Sequence, residues 1–452
     1  MACVIGLALA AAWTSTASAG TSSVDGVSDQ NLGEWSGNYL DSSNLFSIPF
    51  PNFFSATWVG SGATNLRYAR FVTAPDAIAQ GGACEQNLVN WLRYATLTLH
   101  VIPVIAVWNV TEGGCVNHGR PSTAAYTADI AQLLGYLDTL GAGPVPYIEA
   151  WNEPNSSSVS ALQAAAYWSA ANAICATDAC TAIAGDFVDN DPDQGSQSFA
   201  PGCVAGLTFN NHLKPFEVSY VKALGTARPA IWGFHPYYAV NCEQSASVST
   251  FEHNLPTPAG QVWFTEVGAW ECRLGQSPAR GTARQQSDAS YLVNTLMSPT
   301  DPAAPAHVFY YEMAPFVYTQ SCSKYADSAL YMGVTAPGSL YARPAAATIF
   351  GTDSTLAAQT GAATSVIATA ATLNGTCTLG GIYEATVSFQ YGKTTSYESQ
   401  TAVIQEGPGL TSRSASYGVS GLAAHTTYHY RIIATDTNGL TRYGADASFQ
   451  TP

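Results

Sequence analysis

Up to Phe350 the chain alternates between short apolar runs and longer Ala/Leu-rich stretches. β-prone runs occur near Gly26–Asp29, Leu66–Val72, His100–Trp108, Pro146–Asn152, Ala182–Phe187, Ile231–Tyr237, Val262–Glu266 and Val308–Met313. Between them, Glu85–Ala95, Ala124–Leu140, Ala161–Ala176 and Ser287–Met297 space their apolar residues as a helix does when one face is packed. Successive strands start roughly 30–50 residues apart, the rhythm of repeated β–loop–α units. Eight such strands predict an α/β protein with a (β/α)8 TIM barrel. A doubly wound sheet is the alternative, and the lack of a Gly-rich phosphate loop counts against it.

The pattern then changes. Pro344–Phe350 reads as the end of the last helix, and Gly351–Thr364 is small, polar and nearly uncharged, as a linker is. From Ser365 onward the period is two, in Tyr383–Tyr391, Thr426–Ala434 and Ala447–Thr451, and no helix is predicted. The expected organisation is therefore a leader over 1–19, a barrel over 20–350, a linker over 351–364 and a small all-β sandwich over 365–452. The leader is read from apolar Val4–Ala12, too short to span a bilayer, and the small-residue site Ala17-Ser-Ala19 before Gly20. Its start carries no Lys or Arg, a departure from the secretory pattern.

Composition narrows the partners. With 47% hydrophobic and 10% charged residues the chain can bury a large core. A formal net charge of −15 disfavours nucleic acid and anionic membrane as partners, because both select a basic face. No later run reaches the ~18–20 apolar residues of a membrane helix. A monomer is expected. Of ten cysteines, Cys3 falls in the leader, Cys377 stands alone as a buried thiol, and the rest lie between Cys84 and Cys322. An even set in an exported protein predicts disulfides, with neighbours Cys84–Cys115, Cys175–Cys180, Cys203–Cys242 and Cys272–Cys322. No Cys-x-x-Cys or His-Glu-x-x-His pattern calls for zinc, and no cofactor is expected.

Chemistry concentrates in two strings, Tyr147-Ile-Glu-Ala-Trp-Asn-Glu-Pro-Asn155 and Val262-Trp-Phe-Thr-Glu-Val-Gly-Ala-Trp270. Each is a β-prone run ending in a carboxylate beside aromatic rings. Alternation places Glu149, Trp151 and Glu153 on one side of the fourth strand, and Val262, Phe264 and Glu266 on one side of the seventh. Glu153 and Glu266 then emerge at the C-terminal rim, where barrel enzymes keep their active sites. Two carboxylates on different strands suit glycoside hydrolysis, one protonating the leaving oxygen and the other attacking. Each also has a bland reading, Asn-Glu-Pro as a capping turn and Glu266 as a solvated rim residue. Glu149, one turn of the pleat deeper, reads as a structural ion-pair partner.

In these two strings the chain resembles the clan of retaining (β/α)8 glycosidases that includes the cellulases and endo-mannanases. The resemblance implies Glu153 as acid/base and Glu266 as nucleophile, with Asn152 on a substrate hydroxyl. It also implies that the Tyr237 of Phe234-His-Pro-Tyr-Tyr238 lies against the nucleophile, with His235 near substrate. An Arg on the second strand would keep the nucleophile ionised. Ala69-Arg-Phe-Val-Thr-Ala-Pro75 matches best from Arg70, and Arg67 is the alternative, free otherwise to pair with Glu149. The acid role further requires Glu153 to be protonated in the free protein, through partial burial and repulsion from Glu266.

Departures from the cellulase pattern bear on the sugar. Trp108-Asn109 stands where a His is common on the third strand, and Phe309-Tyr-Tyr-Glu312 replaces a usual Trp on the eighth. Trp108, Trp270 and Tyr311 are the candidate stacking platforms, each equally readable as a core ring. Sugar, linkage and endo or exo action stay open. Two weaker patterns are set aside. Asp189-Asn-Asp-Pro-Asp-Gln-Gly195 lacks the Gly and the twelfth-position Glu of a calcium loop, and Gly418-Val-Ser-Gly421 has the wrong spacing for a nucleophile elbow. The stretch from Gly421 to Gly439 resembles the penultimate strand of a fibronectin type III domain, with Leu422 and Tyr428 at the corner. A sugar-binding barrel without turnover and a structural surface protein are the competing functions.

Overall fold

The computed structural model describes residues 24–28, 67–189, 213–270, 282–311 and 356–452 apart from short breaks, with a few isolated residues and three-residue strands between them. Eight parallel strands close into a barrel: β1 (Gly26–Ser28), β2 (Tyr68–Thr73), β3 (Ile102–Val107), β4 (Tyr147–Glu149), β5 (Thr181–Val188), β6 (Ile231–His235), β7 (Gln261–Val267) and β8 (His307–Tyr310). Each pairs with its sequence neighbours, and β1 pairs with both β2 and β8 to complete the ring. Asp25, just before β1, fastens that seam by accepting from Val308 N at 3.1 Å and holding His307 Nδ1 at 2.6 Å. All eight predicted strands are present as a (β/α)8 barrel.

Helices follow β2 to β7: α1 (Gly82–Arg93), α2 (Thr123–Asp138), α3 (Ala161–Asp178), α4 (Leu213–Leu224), α5 (Tyr237–Cys242), α6 (Ala246–Asn254) and α7 (Thr282–Tyr291). Ser122 and Ser160 cap α2 and α3, each accepting from a backbone N–H three residues on at 3.2 Å. Outward-facing strand residues such as Phe71, Ile105, Ile148, Trp232 and Phe264 bury against helix residues such as Trp91, Leu133, Trp168 and Tyr220. The barrel's lower interior is a separate apolar plug of Tyr68, Val104, Ile183, Ile231, Trp263 and Phe309. Trp263 anchors it, 4.9 Å from the Tyr147 ring and 5.6 Å from that of Tyr68. The plug floors the barrel and leaves its upper interior for polar groups.

Cys84–Cys115 and Cys175–Cys180 are disulfides, and Cys377 is a buried free thiol, as expected. Cys242 is also disulfide-bonded. Cys203, Cys272 and Cys322, the segment 1–19, the first five linker positions, residues 190–195 and the last two positions of the expected eighth strand lie outside the described residues.

From Leu356 onward the chain is antiparallel throughout. The strands are β9 (Ala357–Thr360), β10 (Thr364–Ile367), β11 (Ala370–Thr378), β12 (Ala385–Gly392), β13 (Ser399–Gln400), β14 (Ile404–Glu406), β15 (Ser412–Ser420), β16 (Thr427–Asp436), β17 (Thr441–Tyr443) and β18 (Ala447–Gln450). Two sheets form, one centred on β11 and the other on β12 and β16. Their inner faces bury Leu373, Cys377, Val387, Phe389, Tyr430 and Ile432. Tyr428 Oη accepts from Ala423 N at 3.0 Å beside buried Leu422, the geometry of a tyrosine corner.

Candidate active site

Above the apolar plug, the inward positions change from aromatic to ionic. Arg70, two residues up β2 from Tyr68, is fully buried and uses every donor it has. Nε and Nη2 reach Glu149 at 2.9 and 2.7 Å, and Nη1 reaches Glu266 Oε2 at 2.6 Å and Ser28 Oγ at 3.0 Å. Nη2 also contacts Asn152 Oδ1 at 2.6 Å and Asp186 Oδ2 at 3.2 Å. One rigid guanidinium thus orients three carboxylates and an amide. Burial works against its charge, but Glu149, Asp186 and Glu266 together hold its pKa above the ordinary arginine value. Arg67, the alternative from sequence, is exposed.

Three breaks in strand regularity deliver the remaining groups. Regular alternation does put Glu149 inside, but β4 ends there and Trp151 turns outward, its ring 5.0 Å from Tyr167 of α3. The expectation that Trp151 shares the face of Glu149 and Glu153 is corrected by this. The chain leaves the pleat, Glu153 N donates to Asp186 O, and Glu153 adopts a left-handed φ of 45°. Asn155 braces the loop, bonding Val188 O and Val188 N at 2.7 and 2.9 Å.

On β5, Gly185 pairs with Gly233 and Phe187 with Phe234, which leaves Asp186 as an extra residue. Gly185 at φ 86° and Asp186 at φ 57° form the bulge that turns a carboxylate inward. On β7 a second bulge opens, since Phe264 pairs with Val308 and Val267 with Tyr310, so Thr265 and Glu266 oppose one residue. Trp263 and Thr265 therefore point inward and Phe264 outward, which corrects the predicted Val262, Phe264 and Glu266 face. The bulge lets Glu266 join Thr265 inside.

Glu266 Oε1 accepts the Tyr237 hydroxyl at 2.8 Å, opposite the oxygen held by Arg70. Burial, and next the charge of Glu266, push the Tyr237 pKa upward, so the phenol stays a donor. Tyr237 opens α5, whose N-terminal amides at Tyr238 and Ala239 bond Asp189 at 2.6 and 2.9 Å. Ser247 adds a third bond to that carboxylate at 2.7 Å. Burial raises Asp189 to about 7 despite these donors. Asp189 is consumed as the anchor of α5, a different role from the first position of a calcium loop.

Half-buried Glu153 faces His235 Nδ1 at 3.0 Å and Ser156 Oγ at 3.2 Å. His235 Nε2 lies 3.0 Å from Asp186 Oδ1, which also accepts from Thr265. Burial lowers the affinity of His235 for its second proton, but Asp186 outweighs it and the pKa rises to about 10. Asp186 itself lies well below the usual carboxylate range, because His235 and Arg70 overcome its burial.

One atom each of Glu153, His235 and Glu266 lies within 4.8 Å of the other two, spacing that a metal ion would also accept. Both nitrogens of His235 face carboxylates, so an ion there would have to displace the proton between Nδ1 and Glu153.

The other candidates are distributed around this centre. Trp270 is buried with its ring 5.4 Å from Tyr237, and half-buried Tyr311 packs against the same cluster. Half-buried Trp108 follows β3 and packs on the outer core. Sequence reasoning missed Ser28, Asp186 and Thr265. Gly185, alone inside a strand-like run, was the available signal for the Asp186 bulge.

No family model matches the chain, and no curated protein matches it. Solved structures do. The sensor domain of an anti-sigma factor from Pseudobacteroides cellulosolvens is 17% identical over 21% of this chain and 88% of that one, with a TM-score of 0.17. A GH128 endo-β-1,3-glucanase from Pseudomonas viridiflava is 15% identical over 66% of this chain and 93% of that one, at 0.36. The catalytic domain of a mannanase from Streptomyces sp. SirexAA-E is 14% identical over 69% and 79%, at 0.37.

Proposed function

We propose that this protein is a secreted retaining glycoside hydrolase acting on a poly- or oligosaccharide, with Glu266 as nucleophile and Glu153 as acid/base. The observation that carries the reading is the pair itself: two carboxylates at the C-terminal rim, one in the loop after β4 and one near the end of β7, with one oxygen of each within 4.8 Å. A retaining pair is about 5–5.5 Å apart, whereas an inverting pair leaves ~6.5–9.5 Å for a water.

The surroundings support different tasks for the two groups. Glu266 is gripped on both oxygens by Arg70 and Tyr237, which holds the carboxylate in a fixed orientation. In the first step a Glu266 oxygen bonds the anomeric carbon as the glycosidic C–O bond breaks, and the proton of Glu153 goes to the leaving oxygen. Water then attacks the same carbon. Its proton passes to Glu153, the ester breaks and Glu266 recovers its charge. Asn152, held by Arg70, presents its amide toward the substrate, and half-buried Tyr311, beside buried Trp270, is the stacking platform of the three candidates that the packing favours. The sandwich, which begins with β9 at Ala357 and not at residue 365, would act as a separate fibronectin-like module. Cellulose, β-1,3-glucan and mannan should be offered to the purified protein, with reducing ends counted and the anomer of the first product read by NMR. Release with retained configuration is expected; tight oligosaccharide binding without release would favour the sugar-binding barrel instead.

A further inference from the structure

Asp186 touches both halves of the site. Its Oδ2 meets the guanidinium behind Glu266, and its Oδ1 meets the imidazole behind Glu153. It is about 1% exposed, sits at a left-handed bulge residue, and is too deep to reach a substrate. Gly233 opposite has no side chain because a Cβ there would lie 2.6 Å from Asp186 Oδ1 and 2.9 Å from Thr265 Oγ1. A strained backbone, a missing side chain and a threonine hydroxyl all converge on one carboxylate oxygen.

We propose that Asp186 is a positioning residue for the acid/base: by bonding His235 Nε2 it keeps both imidazole nitrogens protonated and aims Nδ1–H at Glu153. The inference rests on the glycosidase reading for the role of Glu153. The groups facing His235 are Glu153 beyond β4, Asp186 on β5 and Glu266 on β7. Tyr237 lies next to it, with ring centroids 6.5 Å apart, and Arg70 and Asp189 act at one remove. An imidazolium against Glu153 stabilises the carboxylate left when the leaving oxygen takes its proton. The same contact fixes the orientation of the Glu153 carboxyl for both proton transfers.

Asp186→Asn preserves shape but removes the charge that holds the second imidazole proton. Without the cation, Glu153 keeps its proton to higher pH. The alkaline limb of kcat/KM should therefore move up by about 1–2 units, the range for one opposite charge at this distance, while kcat falls. A uniform drop in kcat/KM with an unmoved profile would overturn the proposal, since a merely structural role predicts that. Nitrogen NMR of the 15N-histidine-labelled wild-type protein gives a readout that needs no turnover, with His235 assigned by its loss in a His235→Asn variant that keeps the other histidine signals. Both of its nitrogens should be protonated at pH 8, and a neutral tautomer there would also overturn it. Absence of any glycoside turnover would instead remove the functional reading and leave the NMR answer standing.

Discussion

Arg70 and Glu149 form a bidentate pair with no solvent exposure, Nε and Nη2 against the two oxygens of one carboxylate. The pair fixes the guanidinium plane, and the plane in turn points Nη1 at Glu266 at 2.6 Å. Glu149, although remote from any substrate, thereby sets where Glu266 stands.

Removing Glu149 strips a fully buried guanidinium of its bidentate partner and leaves Nε–H unsatisfied, with only Glu266 and Asp186 to balance the charge. Glu149→Ala should therefore cost about 3–5 kcal/mol of stability and lower kcat/KM as Arg70 reorients. Urea denaturation and steady-state kinetics check both. A variant as stable as wild type would mean that the pair does not hold the barrel interior together.

Tyr237→Phe removes a single hydroxyl from Glu266 Oε1 and leaves that buried acceptor unpaired. The loss of one such bond is worth about 1–3 kcal/mol, so kcat should fall roughly ten- to a hundredfold. The thermal midpoint should fall by only a few degrees, because the ring keeps its packing on Trp270. An unchanged kcat would take Tyr237 out of the mechanism.

Gly233→Ala places a methyl 2.6 Å from Asp186 Oδ1, closer than the two atoms can stand. β6 tolerates alanine by backbone geometry, so the expected effect is displacement of Asp186 from His235 and a loss of activity of the same kind as in Asp186→Asn. A crystal structure of the variant with the His235–Asp186 bond intact would contradict this.

The strand positions were legible because inward and outward residues differ in kind, as Tyr68 and Arg70 differ from Ala69 and Phe71. So were Glu153, Glu266, Arg70, His235 and Tyr237, which lie in strings whose alternation or motif marks them. The ends of β4, β5 and β7 were not. Simple alternation sends Asp186 out with Ala182 and Ala184, and groups Glu266 with Phe264. Bulges reverse both, and a bulge is a property of two strands in register, which one strand's pattern does not carry. The role of Asp189 was hidden for a related reason: its partners, Tyr238, Ala239 and Ser247, come from a distant segment that only the fold brings close.

Glu217 of α4 carries a pH-dependent cost. Burial raises it to about 7, one oxygen bonds Asn254 at 2.8 Å, and the other has no partner among the described residues. A carboxyl with a raised folded-state pKa contributes its stability fully below about pH 4.5 and loses it as pH rises through 7. Glu217→Gln has no charge to bury. It should match wild type near pH 4.5 and gain on the order of 3 kcal/mol by pH 9. Thermal melts at the two pH values test the sign, and an equal offset at both would rule out ionisation as the cause.

The central claim is the division of labour between Glu153 and Glu266, and azide reads it directly. Each alanine variant should lose at least ~10²–10⁴-fold in activity. On a glycoside with a good leaving group, Glu153→Ala still forms the glycosyl ester, which then waits for a base; azide should restore turnover and yield a glycosyl azide of retained configuration. Glu266→Ala forms no ester, so azide enters from the vacated face and yields the inverted azide. That pair of products is the predicted result. Near-wild-type activity in either variant, or the two configurations exchanged, would contradict the assignment.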